Sequence, residues 1–131
     1  TLCHIKESIF KDNYVIGCNA SGGAICIESY DAADTDFAID NCIFDNNYCE
    51  AGVLGRGGAI YNCVILFLSN NEFNNNYCKI NTDIEPDGFD ESAVRALGGA
   101  ICNDAMININ NVQGVNNKAE YGGFICSPSY T

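Results

Sequence analysis

Thiols, carboxylates and amides carry whatever chemistry this chain of 131 residues offers. Nine cysteines are too many for an ordinary reduced intracellular domain, and no Cys-x-x-Cys pair occurs, which argues against a zinc ribbon or a thioredoxin-type motif. Their density suits an oxidising, extracellular setting. The odd count leaves at least one thiol free or bonded outside the chain. Asp83-Ile84-Glu85-Pro86-Asp87-Gly88 has the alternating oxygen ligands and the glycine of a calcium loop, but the twelfth position is Val94, which has no oxygen to give. The stretch reads as a solvated loop, with Asp83, Glu85 and Asp87 as weak calcium candidates and no other metal or cofactor expected. Asp31, Asp34, Asp36 and Asp40 form a second acidic cluster of the same kind.

Polysaccharide lyases and hydrolases need paired carboxylates, and a lyase also needs a basic residue, set in a groove. The arginines, Arg56 and Arg95, each stand shortly before a Gly-Gly with no acidic partner in the repeat pattern, and the lone His4 lacks the context of a catalytic triad. The chain is therefore read as non-enzymatic, with carbohydrate cleavage as the weakest of three functional readings. Asn19-Ala20-Ser21 is a glycosylation sequon, expected in the loop before the first Gly-Gly.

Acidic residues outnumber basic ones 17 to 6, a formal net charge of -11, which makes nucleic acid and anionic membrane surfaces poor partners. Neutral partners such as glycans remain open. No apolar run reaches the roughly 18 residues of a membrane span. The opening at Thr1, without a Met or a leader-like segment, suggests a mature or excised piece of a secreted or cell-surface protein.

These side chains must be positioned by a repeat. Gly22-Gly23-Ala24-Ile25 recurs at Gly57–Ile60 and Gly98–Ile101, with an altered copy at Gly122-Gly123-Phe124-Ile125. It alternates with Phe-x-x-Asn phrases at Phe10–Asn13, Phe44–Asn47 and Phe73–Asn76, and with a degenerate Gly114-Val115-Asn116-Asn117. Irregular spacing between copies means that connecting loops vary while the phrases hold fixed places in a structural unit. A third column aligns Phe37, Leu66 and Ile107, with Ile39, Leu68 and Ile109 two residues on, the period of buried strand positions. Carried one step further, the same period makes Asn41, Asn70 and Asn111 an inward ladder of stacked amides. The Gly-Gly step fits a strand start where one glycine takes positive φ and the other lets backbones approach closely.

These columns predict an all-β, right-handed parallel β-helix of about four coils with three short strands each. It would form a single domain over 1–131, with loop insertions at about 28–36 and 79–97. Neighbouring rungs then pair Cys49 with Cys78 and Cys102 with Cys126, and both are expected disulfides. Cys3, Cys18, Cys26, Cys42 and Cys63 stay unassigned.

The alternating GGA[ILV] and F-x-x-N phrases, from about Ser8 to Ile125, resemble the repeat of chlamydial polymorphic outer-membrane proteins. The resemblance implies a surface-exposed β-helical passenger with adhesive or structural roles rather than catalysis. The chain departs from that family's pattern in its fourth repeat and in having no C-terminal membrane-barrel segment.

Both ends of the sequence fall within coils, with Cys3 and Ile5 in one strand column and Ile125 and Cys126 in another. The ends read as halves of one coil, so Cys3, Ile5, Ile125 and Cys126 are expected at an end-to-end interface between copies. A fibre-forming surface protein, stacked head to tail with itself, is the leading functional reading. An adhesin fragment that binds a glycan or protein through its loops is the alternative.

Overall fold

The computed structural model describes residues 2–29, 36–84 and 94–128. These contain no helix, and every strand pairing is parallel between successive turns of the chain. The first coil is β1 (Leu2–Lys6), β2 (Ile9–Lys11), β3 (Tyr14–Ser21) and β4 (Ile25–Ile27). The second is β5 (Asp36–Asp40), β6 (Ile43–Asp45), β7 (Tyr48–Arg56) and β8 (Ile60–Asn62). The third is β9 (Ile65–Ser69), β10 (Glu72–Asn74), β11 (Tyr77–Ile80), β12 (Arg95–Leu97) and β13 (Ile101–Asn103). The fourth is β14 (Ile107–Asn110), β15 (Gln113–Val115) and β16 (Ile125–Cys126). Stacking gives four parallel sheets, β1-β5-β9-β14, β2-β6-β10-β15, β4-β8-β13-β16 and one of β3, β7, β11 and β12. The architecture is a parallel β-helix, with strands on four sheets where the sequence suggested three per coil.

Corners make the coil. Among the described residues twelve have positive φ and fall in three columns, two filled mostly by Asn and Asp and one by glycine. Glu7, Asn41, Asn70 and Asn111 form the first column and Asp12, Asn46, Asn75 and Asn116 the second, all at φ of 51–59°. Asn and Asp tolerate this left-handed region better than other residues with a side chain. Gly22, Gly57, Gly98 and Gly122 form the third column at φ of 65–78°. A second constraint accounts for the glycine that follows. A Cβ on Gly23 would lie 2.1 Å from the Gly58 carbonyl oxygen, and one on Gly58 would lie 2.1 Å from that of Gly99. One glycine turns the chain and the next lets the rungs touch.

The core runs along the axis. The Ile25, Ile60, Ile101 and Ile125 column is in register, as are Phe37, Leu66 and Ile107. Phe10, Phe44 and Phe73 stack with ring centroids 4.8 and 4.7 Å apart and interplanar angles of 5° and 3°. The fourth coil departs from this pattern by an exchange. Gly114 occupies the Phe column, and Phe124, in place of the usual Ala, reaches over to pack against Phe73 at 5.8 Å. A Cβ on Gly114 would meet that ring at 2.6 Å. The degenerate repeat is thus a compensated pair, in which one aromatic ring reaches the same column from a neighbouring strand. Overpacking by Gly114→Phe should cost about 1–3 kcal/mol alone. Adding Phe124→Ala should recover most of it, and a double-mutant cycle in chemical denaturation should show a coupling of at least about 1 kcal/mol.

Insertions widen one side only. In the second coil β7 runs unbroken, whereas in the third its partners β11 and β12 are separate strands joined by 81–94. The expected 79–97 insertion is therefore shorter, because Lys79, Ile80 and Arg95–Leu97 pair with β7. The fourth coil crosses the same side with only Ala119 and Glu120 between the bridge residues Lys118 and Tyr121.

Candidate functional site

The chemistry the structure presents most regularly is a column of buried amides. The left-handed corner resets the in–out alternation, so the residue after it points inward: Asn13, Asn47, Asn76 and Asn117, the last residues of the Phe-x-x-Asn phrases. Asn13 donates from its backbone N–H and Nδ2 to Asn47 Oδ1 at 3.1 and 3.0 Å. Asn47 donates in the same way to Asn76 Oδ1 at 2.9 and 3.0 Å, and Asn76 to Asn117 Oδ1 at 3.0 and 3.0 Å. Each Nδ2 after the first also donates back to the preceding coil, to the carbonyls of Phe10, Phe44 and Phe73 at 2.9, 3.0 and 2.8 Å. Asn47 and Asn76 are fully buried. A shorter ladder joins Asn62 Nδ2 to Asn103 Oδ1 at 2.7 Å.

The amides expected to point inward do not. Asn41, Asn70 and Asn111 occupy the corner and are exposed, because their positive φ ends the strand alternation before it reaches them. Asn111 does donate to Asn70 at 2.8 Å, but Asn70 donates to Asp40 at 3.3 Å rather than to Asn41.

The first and last described coils each leave one strand edge without a described neighbour. Leu2, Ile9, Tyr14 and Ile16 are exposed on the first coil, and Ile109, Val115 and Tyr121 on the fourth. Cys3 and Ile5 pair with Phe37 and Ile39, while Ile125 and Cys126 pair with Ile101 and Cys102. The two pairs therefore belong to different sheets at opposite ends, and a stacked copy would meet each with a different column.

Register places Cys78 beside Cys49 and Cys126 beside Cys102, the two expected pairs, and all nine cysteines are free thiols here. Cys78, hydrogen-bonded to Cys49 and buried, holds its proton strongly, and the same bond lowers the Cys49 thiol. Burial, with Asp104 nearby, pushes Cys102 up to about 12, and burial, with Glu28 beside it, pushes Cys26 up to about 11. Cys42 and Cys126 are raised by burial as well.

Cys102 belongs to a small cluster with Tyr61 and Leu97 that the sequence did not reveal. Arg56 lies 4.1 Å over the Tyr61 ring and donates to its hydroxyl at 2.8 Å, and that hydroxyl donates to Asp104 Oδ2 at 2.5 Å. Arg56 on β7 thus reaches an acid just past β13 through a tyrosine on β8. Burial and the Asp104 bond keep Tyr61 protonated far above its ordinary range. Since Cys102 binds its proton more tightly folded than unfolded, its contribution is complete below about pH 9 and is lost as pH rises towards 12. Melting temperature should fall through that window by the equivalent of up to ~4 kcal/mol. The fall should shrink in Cys102→Ala, as read by thermal melts from pH 8 to 11.

The other candidates are dispersed. Asp83 is exposed and its backbone N–H donates to Asn81 Oδ1, while Glu85, Asp87, Asp31 and Asp34 lie outside the described residues. Asp36 and Asp40 are part of β5. Among the described residues no three metal-capable side chains converge. His4 is exposed on β1 and Arg95 on β12. Asn19 is exposed but sits in β3 opposite Leu54, just past a register shift, rather than in a loop.

The family model of the Chlamydia polymorphic membrane protein repeat matches residues 41–63, which run from the Asn41 corner through Phe44–Asn47 and β7 to Gly57–Ile60 and β8. The chain carries a repeat of that type, one associated with bacterial surface proteins. No curated protein and no solved structure matches the chain.

Proposed function

We propose that this chain, bearing the polymorphic membrane protein type of repeat, is a non-catalytic structural module of a cell-surface protein. Its β-helix builds by adding coils, and copies of the chain stack head to tail into a fibre. The observation that carries this reading is that the first and last described coils present the same columns. Phe10 and Phe124, Ile25 and Ile125, and Asn13 and Asn117 close the two ends of stacks that continue through the interior. Unpaired parallel edges of this kind template further strands, and a head-to-tail contact that does not close on itself propagates.

Charge opposes the association. At a net charge of -11 the copies repel, so stacking should strengthen as salt screens them. Sedimentation velocity over a range of protein and salt concentrations provides the test. Mass that grows with both supports the reading. A monomer at every concentration and ionic strength would overturn it.

A further inference from the structure

One side of the fourth coil leaves a gap in the solenoid wall. β11 and β12 both pair with β7 on the second coil. On their other side the described fourth coil pairs with them at Tyr77–Lys118 and at Leu97–Tyr121, and between these bridges only Ala119 and Glu120 cross. Both sides of the gap are bounded by fourth-coil pairing, so the shortness of that crossing, inside the chain, creates it. The insertion that separates β11 from β12 sets out away from the gap. Asn81 donates to the Ala51 carbonyl at 2.8 Å, and Ile84 lies against Gly52, both on the second coil.

The gap bares backbone that a strand would pair. In a parallel sheet the N–H and carbonyl of every second residue face the same neighbour. The Cys78 N–H donates to the Lys118 carbonyl at 2.9 Å, which turns Cys78 and Ile80 towards the fourth coil, whereas the Tyr77 and Asn81 N–H groups donate to the second. The Cys78 carbonyl and both polar groups of Ile80 have no backbone partner on the fourth coil among the described residues. They border a hollow of about 480 Å³ with an apolar floor, where Cys78 and Ala96 are each 1% exposed and Ile80 and Ala119 lie beside them. Charge narrows the partner. Lys79 and Lys118 line the hollow and Arg95 adjoins Ala96 on β12, so three of the six basic residues of a chain with a net charge of -11 gather here. Lys79 is shared with Glu50 at 3.2 Å, and Glu120 is the acidic residue of the lining.

We propose that this gap is a docking site for an extended acidic peptide, which adds a short parallel strand to β11. Its backbone pairs with Cys78 and Ile80, its inward apolar side chains fill the hollow, and its outward carboxylates meet Lys79 and Lys118. Strand addition of this kind draws affinity from main-chain hydrogen bonds and specificity from alternate side chains. An acidic polysaccharide matches the charge but has no row of backbone N–H donors to meet a strand edge. The inference goes beyond the stacking reading and does not depend on it. Parallel addition also fixes which amides matter. In the fourth coil the outward Lys118 is the residue whose N–H points back to the third coil, donating to the Asn76 carbonyl at 2.9 Å. In a bound peptide the outward acidic residues therefore supply the N–H groups that face β11, and the inward apolar residues do not.

The probe is a fluorescent peptide of alternating glutamate and valine, titrated with the full chain and read by anisotropy. It should bind at least about tenfold more tightly than its lysine–valine counterpart, and Lys118→Glu, at an exposed position, should weaken it about tenfold. N-methylation of the glutamates should abolish binding, whereas N-methylation of the valines should leave it within about threefold. Hydrogen exchange gives a second reading, in which the Ile80 amide slows when the peptide is present. Equal binding of the two charges, equal binding of the two methylated copies, an Ile80 amide that exchanges unchanged, or no binding of the acidic peptide, with or without a polyglucuronate bound in its place, would overturn the inference.

Discussion

Replacing Asn76 by leucine should destabilise the protein by about 4 kcal/mol or more, enough to unfold a domain of ordinary marginal stability. The branched shape is kept, with bulkier methyls in place of the amide. What changes is that Asn76 Oδ1 receives two hydrogen bonds from Asn47 while its Nδ2 serves the Phe44 carbonyl and Asn117. Leucine leaves the Asn47 backbone N–H and one Asn47 Nδ2 hydrogen without an acceptor and takes one donor each from the Phe44 carbonyl and the Asn117 oxygen, at about 1–3 kcal/mol for each unsatisfied group. The neighbouring Asn75→Gly, at an exposed corner of positive φ, should stay within about 0.5 kcal/mol. Urea denaturation of the pair tests this directly. Near-equal stabilities would mean that the ladder is incidental to the fold.

A single methyl group at Gly58 should be as damaging. Its Cβ would lie 2.1 Å from the Gly99 carbonyl oxygen and 2.4 Å from that of Tyr77, both backbone atoms of the next coil, so no side chain can move aside. Gly58→Ala must push two rungs apart, and a loss of about 4 kcal/mol or failure to fold is expected. Gly123→Ala offers the contrast, because the nearest atom there, the Asn117 oxygen, is 3.1 Å away at the last rung. It should cost about 1 kcal/mol or less. Thermal melts that rank the two alike would contradict the close-approach account of the second glycine.

The parts of the fold legible in the sequence are those where one residue type recurs at one depth. Phe10, Phe44 and Phe73 and the isoleucines of the Gly-Gly phrase read correctly because a stacked strand repeats its environment every coil. The inward amides lie six residues beyond the expected Asn41, Asn70 and Asn111, past the next corner, at Asn47, Asn76 and Asn117. Alternation was carried straight through Asn41, Asn70 and Asn111, but a residue at positive φ flips the phase, so the inward asparagine follows a corner and closes the Phe-x-x-Asn phrase. The same positive φ explains why Asn, Asp and Gly crowd these places, the signal that would have located the corners.

The strand of Tyr48–Arg56 was hidden because its inward residues are small, Cys49, Ala51 and Gly55 among them, and carry no apolar pattern. The Arg56–Tyr61–Asp104 network joins β7, β8 and the turn after β13 at unrelated sequence distances, and the only trace it left was Tyr61 interrupting the column of Cys26 and Cys102. The exchange of Gly114 and Phe124 looked like decay when each was read alone. As a pair across two strands it preserves the aromatic column.

Electron cryo-microscopy of the purified chain at raised salt tests the central claim most directly. Four rungs at about 4.8 Å each give an axial rise near 19 Å per copy, and every copy in a filament should point the same way. Polar filaments with that rise are the expected result. Discrete single particles, or paired copies joined through like ends, would contradict the account.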